Sequence, residues 1–190
     1  DEGTCALRVA DCAVIVVDAV EGCIGQTERC IAHAIEHKAA LTLVINKVDR
    51  LIVELKLPPT DAYFKLCHTL DDVNAKISEA WEAAQLRLDL DSDAPRLSPV
   101  RGNVLFASAQ HGWIFSLESF AAVYAEKSKV DPSQLAKRLW GDRYFDATTG
   151  QFAKRPPTEG RNVRSFVAFV LEPLYKIYSH VLGEEPATLK

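Results

Sequence analysis

In the stretch LTLVINKVDR, residues 41–50, an apolar run stops abruptly at a group of polar side chains. The run LTLVI at 41–45 is typical of a strand in a parallel sheet that is covered on both faces. Asn46, Lys47 and Asp49 follow directly. Ligands of open α/β sheets bind beyond the carboxyl ends of the strands, so these three side chains are the first candidates for a binding site.

Two further apolar runs complete a sheet around this stretch. AVIVVDA at 13–19 precedes it and is likewise typical of a strand covered on both faces, and NVLFA at 103–107 follows it. Between the first two strands, residues 25–38 have a helical period that places Thr27, Ile31, Ala34 and Ile35 on one face. A strand, a helix and a strand over about 30 residues form a right-handed βαβ unit, which indicates an α/β fold.

Further elements are predicted after Asp49. A long amphipathic helix is predicted from Thr60, which follows Pro59, to about Ala84. Beyond Gly112 the sequence predicts two helices, a hairpin that turns at 146–150, and a last helix over 165–183 that is kinked or restarted at Pro173. We therefore expect one domain over 1–112 and a small α+β subdomain over 113–190.

Asn46, Lys47 and Asp49 suit the recognition of guanine. An ionised Asp accepts two hydrogen bonds side by side, and guanine offers that pair of donors, N1–H and the exocyclic amine, whereas adenine does not. The Asn46 amide can face the other edge of the base or brace a neighbouring loop, and the Lys47 stem can lie on the ring. The alternative is an ordinary solvated strand end, but the buried parallel strand before the motif favours a base site.

The next strand ends in ASAQHG, residues 107–112. This segment resembles the Ser-Ala turn of guanine-nucleotide switches, in which a backbone N–H donates to the guanine oxygen. Ser108 and Ala109 stand one strand after the Asn-Lys-Val-Asp motif, in the required order. The predicted guanine-binding residues are therefore Asn46, Lys47, Asp49, Ser108 and Ala109.

Longer stretches carry a family resemblance. NKVDR at 46–50, SAQHGW at 108–113 and LWGDRYFDATTGQF at 139–152 resemble translational GTPases of the elongation factor 2 class. Within that class, ELKLPPTDAYFKL at 54–66 and FVLEPLYKIYSHVLGE at 169–184 are more similar to the spliceosomal branch, the GTPases of the U5 small nuclear ribonucleoprotein. The resemblance implies the carboxyl-terminal half of a P-loop GTPase domain, followed by the subdomain that elongation factor 2 relatives insert there.

The resemblance also implies a function. It predicts part of a GTP-binding, GTP-hydrolysing conformational switch in pre-mRNA splicing, with GTP or GDP as ligand and magnesium held by residues outside this segment. Implied partners are U5 small nuclear RNA, the large core splicing protein and the RNA-unwinding helicase of that particle, with a nuclear location and no membrane. Two alternatives remain: an elongation factor 2 translocase on cytoplasmic ribosomes, and a non-hydrolysing interaction scaffold with a degenerate nucleotide site.

The motifs that hold phosphates are missing from this sequence. A P-loop requires Gly-Lys before Ser or Thr, and none of the nine glycines precedes a lysine. The Asp-x-x-Gly switch motif is also absent, and the chain starts at Asp1 without any methionine. We therefore expect a segment of a longer protein that contains no catalytic residue and does not hydrolyse GTP by itself, because phosphoryl transfer depends on groups around the phosphates.

Composition excludes other classes of protein. Five cysteines without a C-x-x-C pair favour free thiols over disulfides or a zinc site, and no apolar run reaches the ~20 residues of a membrane span.

HAIEH at 33–37 matches a zinc-protease pattern, but helical spacing places both histidines away from the apolar face, so no metal site is predicted. Residues 127–164 carry nine basic against four acidic side chains, and either an RNA contact or a solvated surface explains them.

Overall fold

The computed structural model describes residues 2–88, 93–128, 131–146, 150–156 and 163–183. The helices are α1 (Glu2–Leu7), α2 (Gly25–Glu36), α3 (Val48–Val53), α4 (Pro59–Leu88), α5 (Leu117–Ser128), α6 (Pro132–Leu139) and α7 (Glu172–Gly183). The strands are β1 (Cys12–Asp18), β2 (Ala40–Asn46), β3 (Val104–Ser108), β4 (Trp113–Phe115), β5 (Tyr144–Asp146) and β6 (Gln151–Ala153).

The chain forms two compact units. The first contains Asp1–Val48 and Lys65–Ser116, and the second contains Asp49–Phe64 and Leu117–Lys190. The expected division into 1–112 and 113–190 separates two domains by function, whereas the two units are defined by compactness. The expected division therefore stays a prediction.

The first unit is built on a mixed sheet in the order β1-β2-β3-β4. β1 pairs with β2 and β2 with β3 in parallel, whereas β4 runs antiparallel to β3. The α/β fold and its three predicted strands are confirmed. Strand β4 was not predicted, because a strand of three residues is too short to show a period of two.

Helix α2 covers one face of this sheet. Its buried residues are Thr27, Ile31, Ala34 and Ile35, as the helical period predicts. The expected burial of both faces is wrong for β1, where Val14 and Val16 are 58% and 56% exposed and alternate with buried neighbours. A run of branched apolar residues suits either arrangement, so the sequence pattern alone did not distinguish them.

Helix α4 begins at Pro59 and ends at Leu88, four residues beyond the predicted end. Within the first unit, its residues Leu66, Leu70, Val73 and Ile77 are buried at the predicted spacing. Asn74 on the same helix accepts a hydrogen bond from the Leu97 N–H (2.9 Å) and donates one to the Leu97 carbonyl (3.0 Å). These two bonds fasten the segment that leads into β3.

The second unit contains the predicted helices and hairpin. Asp131 caps α6 by accepting from the Ser133 N–H at 3.2 Å. β5 and β6 form the antiparallel hairpin, whose turn residues 147–149 lie outside the described residues. The last helix does not restart at Pro173: the chain stays helical over residues 165–183, with a π-helical segment at 167–171 directly before α7. Of the two predicted outcomes, the restart is wrong, and the irregularity near the proline is this π-helical segment.

The core of the second unit is aromatic. Phe166, which is 1% exposed, contacts the rings of Tyr63 and Trp140 at centroid distances of 5.6 and 4.9 Å. The Tyr63 hydroxyl also donates to the Gly141 carbonyl (3.3 Å) and accepts from the Gly141 N–H (3.2 Å). Among the described residues, no helix combines the length and the apolar character that a membrane span needs.

Candidate functional site

The carboxyl ends of three parallel strands meet at one edge of the first unit. Asp18 ends β1, Asn46 ends β2 and Ser108 ends β3, and Asp18 and Asn46 are direct partners in the register. The Ala19 N–H donates to the Asn46 carbonyl at 2.8 Å, so the first two strands remain bonded one residue beyond β1. This is the edge at which an open α/β sheet binds its ligand.

Asn46 connects two of the sequence motifs. Its Oδ1 accepts from the N–H of Lys47 at 2.8 Å and from the N–H of Ala109 at 3.0 Å. The second bond joins residues that are 63 positions apart. The sequence predicted that this amide either faces the base or braces a neighbouring loop. The structure shows the brace between loops.

The Ala109 N–H is therefore already a donor in this structure. A base oxygen at this turn would have to share that hydrogen or accept from another N–H of the turn. Ala109 itself is exposed, whereas Ser108 is fully buried. The Ser108 hydroxyl accepts from the His111 N–H at 3.3 Å, which fixes the shape of the turn.

Lys47 is held in an unusual conformation. Its φ of 60° lies in the left-handed region, which residues other than glycine rarely adopt. The side chain is 52% exposed, and its Nζ lies 2.9 Å from Oδ2 of Asp18. The lysine thus crosses from the end of β2 to the end of β1.

Asp18 was not among the predicted site residues. Its Oδ1 accepts from the Val20 N–H at 2.8 Å and its Oδ2 pairs with Lys47. Burial alone raises the pKa of Asp18, but the hydrogen bonds from Lys47 and from backbone N–H groups, together with the Lys47 charge, outweigh it and lower that pKa. The available signal was its place at the end of an apolar strand, the same signal that identified Asn46.

Asp49 belongs to the second unit, where it lies in the first turn of α3. Its side chain is buried, with 4% exposed. Helix α3 was not foreseen, because its six residues are too few to establish a helical period.

Two other sequence features are the histidine pair at 33 and 37 and the basic segment 127–164. His33 on α2 and His37 at the carboxyl-terminal cap of that helix are half-buried, and the described part of the chain contains no cluster of three or more metal-ligating side chains. Of the basic segment, Arg164 is engaged within the second unit: it pairs with Asp142 at 3.0 Å and lies 4.8 Å from the Phe64 ring centre. Exposed basic residues that the structure describes in this segment are Lys137, Arg138, Lys154 and Arg155.

A family comparison supplies the context for this geometry. The model of the elongation factor Tu GTP-binding domain matches residues 1–172. The chain belongs to this GTP-binding family. The parallel sheet with its flanking helices is the fold expected for a member, and the Asn-Lys-Val-Asp motif lies within the matched range.

Individual relatives of this family member are splicing proteins by name. The 110 kDa U5 small nuclear ribonucleoprotein component CLO of Arabidopsis thaliana is 50% identical over 192 residues, and pre-mRNA-splicing factor cwf10 of Schizosaccharomyces pombe is 47% identical over 191 residues. Both comparisons cover the whole of this chain, which spans only 19% and 18% of the respective relatives. The resemblance to the U5 branch of the elongation factor 2 class is thus confirmed.

Proposed function

We propose that this chain is the guanine-recognition segment of a GTP-binding conformational switch of the U5 small nuclear ribonucleoprotein that acts in pre-mRNA splicing. The observation that carries guanine recognition is the Asn46 brace, which ties the Ala109 turn to the strand end that bears Lys47. Membership of a GTP-binding family supports GTP as the ligand. The names of the relatives support a role in pre-mRNA splicing.

Each proposed residue has a separate task. Asp49 is included because it belongs to the Asn-Lys-Val-Asp motif. Its carboxylate accepts hydrogen bonds from N1–H and from the exocyclic amine of guanine. Lys47 lays its methylene stem on the base, Asn46 holds the two loops together, and Ser108 fixes the turn from which a backbone N–H at Ala109 or beside it reaches the guanine oxygen. A buried carboxylate that loses these donors is left with an unfavourable desolvation energy, which makes the recognition selective.

Hydrolysis is assigned to other parts of a longer parent protein. We propose that the P-loop, the magnesium ligands and the switch residues lie outside this segment, which contributes affinity and base specificity but no catalytic group. In the parent, the expected partners are U5 small nuclear RNA, the large core splicing protein and the RNA-unwinding helicase, in the nucleus. Exposed basic residues between 137 and 155 are the proposed contact surface for acidic partners such as RNA.

The splicing assignment is tested by capturing the full-length protein from cell extract and sequencing the RNA that copurifies with it. We expect enrichment of U5 and its companion small nuclear RNAs over an untagged control. Ribosomal RNA without small nuclear RNA would contradict the assignment and favour the translocase.

A further inference from the structure

We propose that Asp18 is the positioning residue for Lys47 in the nucleotide site. This inference rests on the proposed function, because it concerns a residue that acts on the nucleotide only through the lysine. Asp18 lies in the first unit, at the carboxyl end of the strand next to the one that bears the Asn-Lys-Val-Asp motif.

The geometry makes Asp18 a fixed anchor. Its side chain is only 12% exposed, and the Val20 N–H holds Oδ1 at 2.8 Å. The backbone around it forms a tight turn, in which the Gly22 N–H donates to the Asp18 carbonyl at 2.8 Å. Oδ2 is therefore presented in one direction, toward the Lys47 ammonium group 2.9 Å away.

Lys47, in contrast, needs such an anchor. A lysine has four rotatable side-chain bonds, and more than half of this one is exposed, so its stem would otherwise sample many rotamers. The ion pair fixes the far end while the hydrogen bond from the Lys47 N–H to Asn46 fixes the near end. A stem held at both ends is pre-organised as a flat apolar support for a base, and pre-organisation reduces the entropy cost of binding.

The test is a double-mutant cycle on the full-length protein, with dissociation of fluorescently labelled GDP as the readout. Asp18→Asn removes the charge but keeps the Oδ1 acceptor of the turn, and Lys47→Met keeps an apolar stem without the ammonium group. We expect Asp18→Asn to speed GDP dissociation by about fivefold, the upper end of the effect that an exposed ion pair has on an equilibrium. In the Lys47→Met background the same substitution should have no further effect.

The salt dependence of GDP dissociation is a second readout. A purely structural role of Asp18 would give the wild type and Asp18→Asn the same salt dependence. Raising the ionic strength should speed dissociation from the wild type more than from Asp18→Asn, because the ion pair is partly exposed and is screened. Glu79→Gln is the matched control: it removes an exposed carboxylate that pairs with Lys76 at 3.1 Å, and it should leave dissociation unchanged.

The outcomes separate the inference from the proposed function. Equal acceleration by Asp18→Asn in the wild-type and Lys47→Met backgrounds, or no acceleration in the wild type, would overturn the positioning role while leaving guanine binding intact. A wild-type protein that binds no guanine nucleotide would overturn the proposed function and this inference with it.

Discussion

Replacing Asp49 by Asn in the full-length protein should turn a guanine site into a xanthine site. The Asn amide donates where the exocyclic amine of guanine also donates, whereas xanthine offers an oxygen at that position. A site built around such a hydrogen-bonding edge discriminates on the order of 10⁴-fold, so we expect a change of that size in the ratio of GDP to XDP affinities. Competition of both nucleotides against a labelled probe measures it.

Asp131→Asn is the matched control for this change. Asn caps a helix as well as Asp does, so α6 should retain its capping bond from the Ser133 N–H, and the base preference should stay that of the wild type. If Asp49→Asn retained the wild-type preference for GDP while folding normally, Asp49 would have to be removed from the site.

Truncating Phe166 to Ala should destabilise the second unit by about 3–5 kcal/mol, the usual cost of deleting a fully buried aromatic side chain. Phe166 is 1% exposed and contacts both Tyr63 and Trp140 edge to face or tilted, so the lost ring leaves a cavity in the aromatic core. Urea unfolding followed by tryptophan fluorescence reports on the change, because Trp140 lies in that cluster.

The control removes the same side chain from the surface. Phe64 is 49% exposed and contacts the Arg164 guanidinium at 4.8 Å, so Phe64→Ala should cost about 1 kcal/mol or less. Equal losses for the two variants would contradict the assignment of Phe166 to the core.

Periodicity predicted the regular parts of this fold because burial there follows the backbone. The face of α2 and the buried positions of α4 were predictable, since residues three and four apart share one side of a helix. The short elements α3 and β4 were not, because a few residues cannot establish a period. The exposed face of β1 was not predicted for a different reason. Valine occurs on strand faces that are covered and on faces that are exposed, so Val14 and Val16 do not reveal which face is which.

The candidate site was also predictable only in part. Residue types and their order predicted which side chains to examine, including the brace that Asn46 forms. They did not identify Asp18, whose contact with Lys47 depends on two strands being neighbours in register. Lys47 also has a left-handed backbone, which no pattern in the sequence predicted.

Photocrosslinking with 6-thioguanosine diphosphate tests guanine recognition at the Ala109 turn, because sulfur replaces the guanine oxygen that this turn is proposed to face. With the full-length protein, we expect a crosslinked peptide that contains residues 108–111, and we expect excess GDP but not ADP to suppress it. Crosslinks confined to peptides that contain neither 108–111 nor 46–49 would contradict guanine recognition by these residues, as would crosslinking that ADP suppresses equally.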